Sequence, residues 1–332
     1  MIRAIRFAIA LVCAFAGAPA FAHFEADMTC SGEDLTDTPG IDAAKAKRPD
    51  DFLNSDGLLW RIEKPGLAPS YLFGTIHSTD EQALAIANSA AAFIDKTKVV
   101  ATELGGPFGP MEKADLGAKM FAKAIDREDD TFNRAIPGEY REKIETLLTA
   151  RGVALELAHH LKLWFLAVMT SLPSCEMARE AADMPEVDNF LAETARDKGI
   201  KVVGLETMDE QMEVLASTRA SISATILEMS AKRPTAADDV YVTMLHLYRE
   251  GRPADITAIF DLDSEMTADE HAAEGAFTDS MLVGRNATMA ERAAPLLQDG
   301  GTFIAVGALH LPGKGGLIER FRAAGYEVSR VW

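Results

Sequence analysis

The chain has 332 residues, 48% of them apolar, with 33 lysines and arginines against 51 aspartates and glutamates, for a formal net charge of −18. That apolar share supports a substantial core in one large domain or two small ones and excludes an intrinsically disordered chain. The acidity excludes nucleic acid and anionic membranes as partners recruited by charge, because phosphates and this surface repel.

Residues 1–22 carry Arg3 and Arg6, an apolar stretch, and Ala20-Phe21-Ala22 ahead of His23. This is the layout of a cleaved secretory signal peptide and predicts a periplasmic or secreted protein starting near His23. Loss of the two arginines takes the charge from −18 to −20. Cys13 follows Val12, where lipid attachment requires a small residue, so a lipid anchor is not expected. No later apolar run is long enough to cross a bilayer, and no stable membrane insertion is expected. The remaining cysteines, Cys30 and Cys175, are expected to form one disulfide in an oxidising compartment, tying an N-terminal arm to the helical middle. Two buried thiols are the alternative.

Residues 23–57 are polar and contain Pro39, Gly40 and Pro49, which predicts an irregular arm. Short strands are predicted at 58–62, 71–76, 98–103, 201–205, 302–309 and 327–331, with Pro65-Gly66 turning the first two into a hairpin. Between 186 and 198, Val187, Phe190, Leu191 and Ala195 share one helical face, Gly199 stops the helix, and the strand at 201 follows at once. That is the helix-to-strand half of a βαβ unit. The C-terminus repeats it: a strand, a Pro312-Gly313-Lys314-Gly315-Gly316 turn, a helix with Leu317, Ile318 and Phe321, then Gly325 and a last strand. Residues 111–180 and 207–297 are rich in Ala, Leu, Met and Glu with helical periodicity. Their methionines, among them Met169, Met208, Met212, Met229 and Met244, read as core filling. The prediction is an α/β fold with a mixed central β-sheet flanked by helices and a large helical insertion forming a cap. In domain terms this is a signal peptide at 1–22, an arm at 23–57 and one domain at 58–332.

Two segments far apart in the chain read alike. Tyr71-Leu72-Phe73-Gly74-Thr75-Ile76-His77 and Val306-Gly307-Ala308-Leu309-His310 each run from apolar residues into Gly-x-x-His. A histidine at a strand end places an imidazole at the sheet rim, where ligands of α/β proteins bind. The glycine before it leaves room for a close approach to the backbone. A third strand ends in Thr102-Glu103-Leu104. His77, Glu103 and His310 together make a ligand set for a divalent metal, with positions left for water and substrate. Such an ion acidifies water and polarises a carbonyl, which favours hydrolysis. Manganese, cobalt and zinc all suit imidazole with carboxylate.

Glu206, at the end of a fourth strand, is a further ligand or a general base, or else an N-cap or ion-pair residue at the next helix. Arg285 either clamps a carboxylate or stabilises an oxyanion, or forms an ion pair. His159 and His160 precede an apolar helix. His246 and His271 lie on polar helical stretches, and His271-Ala-Ala-Glu274 lacks the second histidine of an inverted zinc-protease motif, since Gly275 stands there. Neither Ser78 nor Thr75 has an acid partner for a nucleophile triad.

The order of these motifs, from Tyr71-Leu72-Phe73-Gly74-Thr75-Ile76-His77 through Thr102-Glu103-Leu104, Gly204-Leu205-Glu206-Thr207 with Glu210-Gln211, and Arg285-Asn286 to Val306-Gly307-Ala308-Leu309-His310-Leu311, resembles the TraB/GumN family, which includes the Tiki-type metalloproteases. The resemblance covers about residues 56–332. It implies an erythromycin-esterase-like or ChaN-like α/β core with a helical insertion, and a metal-dependent peptidase site supported by manganese or cobalt. Carried over, the ligands are His77, Glu103 and His310. Two positions depart from the family pattern, Leu163-Trp164 in place of Pro-Trp and Glu186-Val187-Asp188 in place of Gly-x-Asp, and both bear on the shape of the cleft. The expectation is an exported metal-dependent hydrolase acting on a peptide or small molecule. The competing class is a non-catalytic periplasmic protein binding metal, haem or peptide.

Overall fold

The computed structural model describes residues 28–38, 53–127, 130–260 and 279–332. The expected signal peptide, its cleavage point at His23, much of the arm, and the His271–Glu274 pair lie outside them.

Among the described residues, six strands form one mixed sheet: β1 Leu59–Glu63, β2 Ser70–Thr75, β3 Val99–Thr102, β4 Lys201–Gly204, β5 Thr302–Gly307 and β6 Glu327–Arg330. Their order is β4-β3-β5-β2-β1-β6. The strands β4, β3, β5 and β2 run parallel, and β1 lies antiparallel between β2 and β6. The Pro65-Gly66 hairpin therefore forms as predicted. Strands β2 and β5 are buried along almost their whole length, which is why they read as continuous apolar runs.

The pleat sends alternate side chains to two different cores. Phe303 and Ala305 join Tyr71 and Phe73 against the helices Glu81–Ala91, Val187–Asp197 and Ala236–Arg249. Ile304 and Val306 join Leu72 against the helices Arg285–Asp299 and Leu317–Ala323 on the opposite face. A third apolar cluster has no strand residue among its buried members. It is built from the helices Pro110–Ala124, Gly138–Ala150, Leu163–Ser171 and Ala220–Lys232 with their neighbours. In Leu163–Ser171 every position is buried, so the helix carries no polar face. This is the expected helical cap.

Cys30 and Cys175 are disulfide-bonded across 145 residues of sequence. The arm beside Cys30 lies on the helix Ala236–Arg249, where Glu33 N–H donates to Asp239 and Leu35 N–H to Thr243 Oγ1. Gly32 is required there, since a Cβ would meet the Asp238 carbonyl oxygen at 2.1 Å. None of the described helices is long and apolar enough to cross a membrane.

The predicted strand boundaries shift by at most one residue, except at the end of the fifth strand, where the difference is two. Strand β5 ends at Gly307, and Ala308–His310 form a single 3₁₀ turn. The Gly307 N–H donates to the Glu103 side chain (2.8 Å) instead of to a neighbouring strand, so the ladder stops there and the chain folds over the rim.

Candidate metal centre

Because β2, β5, β3 and β4 are parallel neighbours, the residues after them gather at one rim of the sheet. These residues are His77, His310, Glu103 and Glu206. The two Gly-x-x-His segments belong to adjacent strands, with Thr75 paired to Gly307. The space left by their glycines is taken by the chain itself. A Cβ on Gly74 would stand 2.9 Å from Ala308 Cα, and one on Gly307 would stand 3.2 Å from Glu103 Oε1. The room expected for an approaching ligand is thus what lets the 3₁₀ turn and the Glu103 carboxylate pack.

Glu103, Glu206, Arg285 and His310 form one buried network. Arg285 donates from Nη2 to Glu103 Oε2 and to Glu206 Oε2, each at 2.6 Å, and from Nε to both Glu206 oxygens at 3.0 Å. Gln211 Nε2 also bridges the carboxylates, at 3.1 Å from Glu103 and 3.3 Å from Glu206. Backbone pairing sets this up, since the Glu206 N–H donates to the Glu103 carbonyl at 2.7 Å. Glu206 is thus ion-paired with Arg285. The N-cap of the following helix is Thr207, in a reciprocal capping box with Glu210. The carboxylate that Arg285 clamps belongs to the protein.

These contacts set the charge state of Glu103. Burial alone would raise its pKa, but the Arg285 guanidinium, with help from His310, His77 and the Gly307 N–H, holds the carboxyl far below the ordinary range. Arg285 is correspondingly raised above its normal value: burial opposes the charge, and Glu103 and Glu206 overcome it.

His310 is 3% exposed, and its tautomer follows from its partner. The Asn286 amide donates from Nδ2 to the Gly315 carbonyl at 3.0 Å, so its Oδ1 is the atom 2.7 Å from His310 Nδ1. A carbonyl oxygen accepts only, so Nδ1 carries the proton. Burial, and then the positive charge of Arg285, push the imidazole pKa down to about 3 against the pull of Glu103. The ring is therefore neutral, and its unprotonated Nε2 lies 3.6 Å from Glu103 Oε1.

The structure gives His77 different contacts. Its Nδ1 is 3.0 Å from Asp188 Oδ2 and 3.4 Å from Glu186 Oε1, while its charge still acts on Glu103 and His310 across the rim. Glu186 is the N-cap of the helix Val187–Asp197 and accepts from the Asn189 N–H. Asp188 follows in the first turn, where the helix dipole favours a negative charge, and accepts from Thr75 Oγ1 at 2.8 Å. Burial and the adjacent Glu186 carboxylate push Asp188 up to about 7. Glu186, although buried, is held below its ordinary value chiefly by His77. One ligand atom from each of His77, Glu186 and Asp188 lies within 4.8 Å of the others. This is a His/Glu/Asp group of the kind that holds a divalent cation.

The sequence reading did not single out Glu186, Asp188, Gln211 or Asn286 as site residues. Glu186 had a signal, as a carboxylate where the family pattern has glycine. Gln211 and Asn286 sit beside residues already singled out, but nothing in a linear pattern says that an amide reaches back to a carboxylate or an imidazole. His159 is accounted for locally: it contacts Asp130 and Asn133 and packs edge-on against Phe132.

The donors of His77, Glu186 and Asp188 fit a divalent ion. Two atoms each bonded to one ion at about 2.1 Å stand about 3.0 Å apart at a right angle and about 3.4 Å at the tetrahedral angle. The His77 Nδ1 separations of 3.0 Å from Asp188 and 3.4 Å from Glu186 match those two values, and the 3.6 Å between His310 Nε2 and Glu103 Oε1 lies just beyond them. Among the described residues the group of three whose ligand atoms come within 4.8 Å of one another is His77, Glu186 and Asp188, whereas the predicted set of His77, Glu103 and His310 is not brought to that spacing. Glu186 Oε1 is also buried without a hydrogen-bond partner.

The family model of the TraB/PrgY/gumN family matches residues 58–330, and the chain belongs to that family. No curated protein and no solved structure matches it.

Proposed function

We propose that this member of the family is an exported metal-dependent hydrolase, a peptidase by substrate class, in which His77, Glu103 and His310 hold a divalent ion at the strand-end rim. The observation that carries the reading is the pair formed by His310 Nε2 and Glu103 Oε1. A bare ring nitrogen and an ionised carboxylate face each other at 3.6 Å inside the protein, and two electron-rich atoms in that position call for a cation between them. A manganese, cobalt or zinc ion held there supplies Lewis acidity, polarising a carbonyl and acidifying water.

The chain's own residues prepare that site. Asn286 keeps the His310 proton on Nδ1, which presents Nε2 as the donor. Asp188 accepts from His77 Nδ1, so the proposed ion would be held by Nε2. Arg285 keeps Glu103 ionised, the state a ligand carboxylate needs, and Glu206 with Gln211 fixes Arg285 and Glu103 in register. Glu206 acts here as a positioning residue, because its oxygens are taken by Arg285 and Gln211, which disfavours the general-base role. Export is supported by the layout of residues 1–22 and by the disulfide. The peptide substrate class rests on the likeness to Tiki-type metalloproteases.

The test is metal analysis of the mature protein and of His310→Ala, followed by cleavage of a peptide mixture with manganese, cobalt or zinc added. The wild type should carry an ion at this site that His310→Ala lacks, and should cleave peptides where the variant does not. Equal metal content in the two proteins would overturn the site. Metal binding without turnover under every condition would favour the binding-protein class.

A further inference from the structure

The rim carries more carboxyl groups than the proposed centre uses. Beside His77 lie Glu186 and Asp188, and Glu180 is close enough to feel both Glu186 and His77, with burial and then the neighbouring acids holding its carboxyl well above the ordinary range. The Oε1 atoms of Glu180 and Glu186 are both buried without a hydrogen-bond partner. The neighbouring cations are engaged elsewhere, Lys113 with Asp183 and Arg179 with Glu176. His77 Nδ1 faces both the Glu186 and the Asp188 carboxyl groups.

We infer that His77 Nδ1, Glu186 Oε1 and Asp188 Oδ2 form a second divalent-cation site, so that the imidazole of His77 bridges two ions at the rim, one on each ring nitrogen. This rests on the proposed His77/Glu103/His310 centre for the first ion only. The second site stands on its own donors. Their separations of 3.0 and 3.4 Å from Nδ1 suit donors to one ion near a right angle and near the tetrahedral angle. Glu186 is 7% exposed, and its buried Oε1 accepts no hydrogen bond from an N–H or hydroxyl group. Thr75 holds the other Asp188 oxygen, and the Asn189 N–H holds the other Glu186 oxygen, so one oxygen of each carboxylate is fixed and one is presented. Loading the second ion displaces the Nδ1 proton to solvent: one metal–nitrogen bond forms, one N–H bond breaks, and nothing is oxidised or reduced.

The experiment titrates manganese into the metal-stripped mature protein and reads the number of ions bound, beside Glu186→Gln, Asp188→Asn and His310→Ala. Asp188→Asn retains an acceptor for Thr75, and circular dichroism checks that each variant is folded. The wild type should bind two ions per chain, each variant one, and the Glu186→Gln/His310→Ala double variant none. With two ions bound, the hyperfine-resolved resonance of isolated manganese should broaden through coupling across the imidazole, and titrations in buffers of different protonation enthalpy should show a proton released with the second ion. A single wild-type ion that Glu186→Gln keeps and His310→Ala loses would overturn this inference and leave the first centre standing. A single ion with the reverse pattern would overturn the first centre and the bridge together, leaving only the Glu186 site. No bound ion in the wild type would overturn both.

Discussion

Replacing Arg285 with Met removes the one cation from a buried network of two carboxylates while keeping much of the side-chain volume. Arg285, Glu103 and Glu206 are 5%, 4% and 6% exposed, and Arg285 makes four close contacts to the two acids. Leaving a buried charge unpaired costs about 3–5 kcal/mol, a large part of the roughly 5–15 kcal/mol that stabilises a typical domain. The pH dependence should change sign as well. In the wild type Glu103 is depressed, so its contribution is fully present above the unfolded carboxyl value, near 4.5, and is lost as pH falls toward its folded value. Without Arg285, burial and the mutual repulsion of the two acids raise a carboxyl above 4.5, and the folded state then binds more protons than the unfolded one. The variant should therefore become more stable as pH falls from 8 to 5, over a range in which this network leaves the wild type nearly flat. The assay is urea unfolding at pH 8 and pH 5, with the double variant Arg285→Met/Glu206→Gln expected to regain part of the loss at pH 8. A loss below about 1 kcal/mol at pH 8, with an unchanged pH profile, would refute the reasoning, since it would mean that the acids are solvated or already protonated.

Three further outcomes are expected. Asn286→Ala frees the His310 tautomer and should weaken manganese binding by about 10–100-fold in calorimetric titration, whereas Asn286→Asp, which keeps an acceptor, should recover most of it. Gly74→Ala places a Cβ against Ala308 Cα at 2.9 Å; such overpacking costs about 1–3 kcal/mol, and the variant should show a lower thermal midpoint together with weaker metal binding, because the displaced turn carries His310. Reduction of Cys30–Cys175, or replacement of both by Ser, opens a loop spanning 145 residues of sequence; the chain-entropy model puts the loss near 5 kcal/mol, read as a lower urea midpoint that reductant does not shift further in the double-serine protein.

Much of this protein is legible along the chain because its signals are local. Strand runs, the Pro65-Gly66 turn, the helix stop at Gly199 and the repeated Gly-x-x-His depend on side-chain periodicity and backbone preference within about ten residues, and those are properties a sequence displays directly. The positions of His77, Glu103, Glu206 and His310 followed from the same signals, since each comes just after a parallel strand. Even the disulfide rested on a count of the two cysteines outside the expected signal peptide. What tertiary structure decided is who faces whom. Arg285 lies 182 residues from Glu103 and 79 from Glu206, Asp188 lies 111 from His77, and Asn286 reaches His310 only because a helix on one sheet face begins beside the 3₁₀ turn. Charge state and tautomer follow from those meetings, because both are set by burial and by the particular atom at hydrogen-bond distance, and neither has a trace in linear spacing. The chain by itself determined which side chains arrive at the rim. The packed sheet decided that Glu103 is ionised, that His310 is neutral with Nε2 bare, and that His77 turns toward two carboxylates.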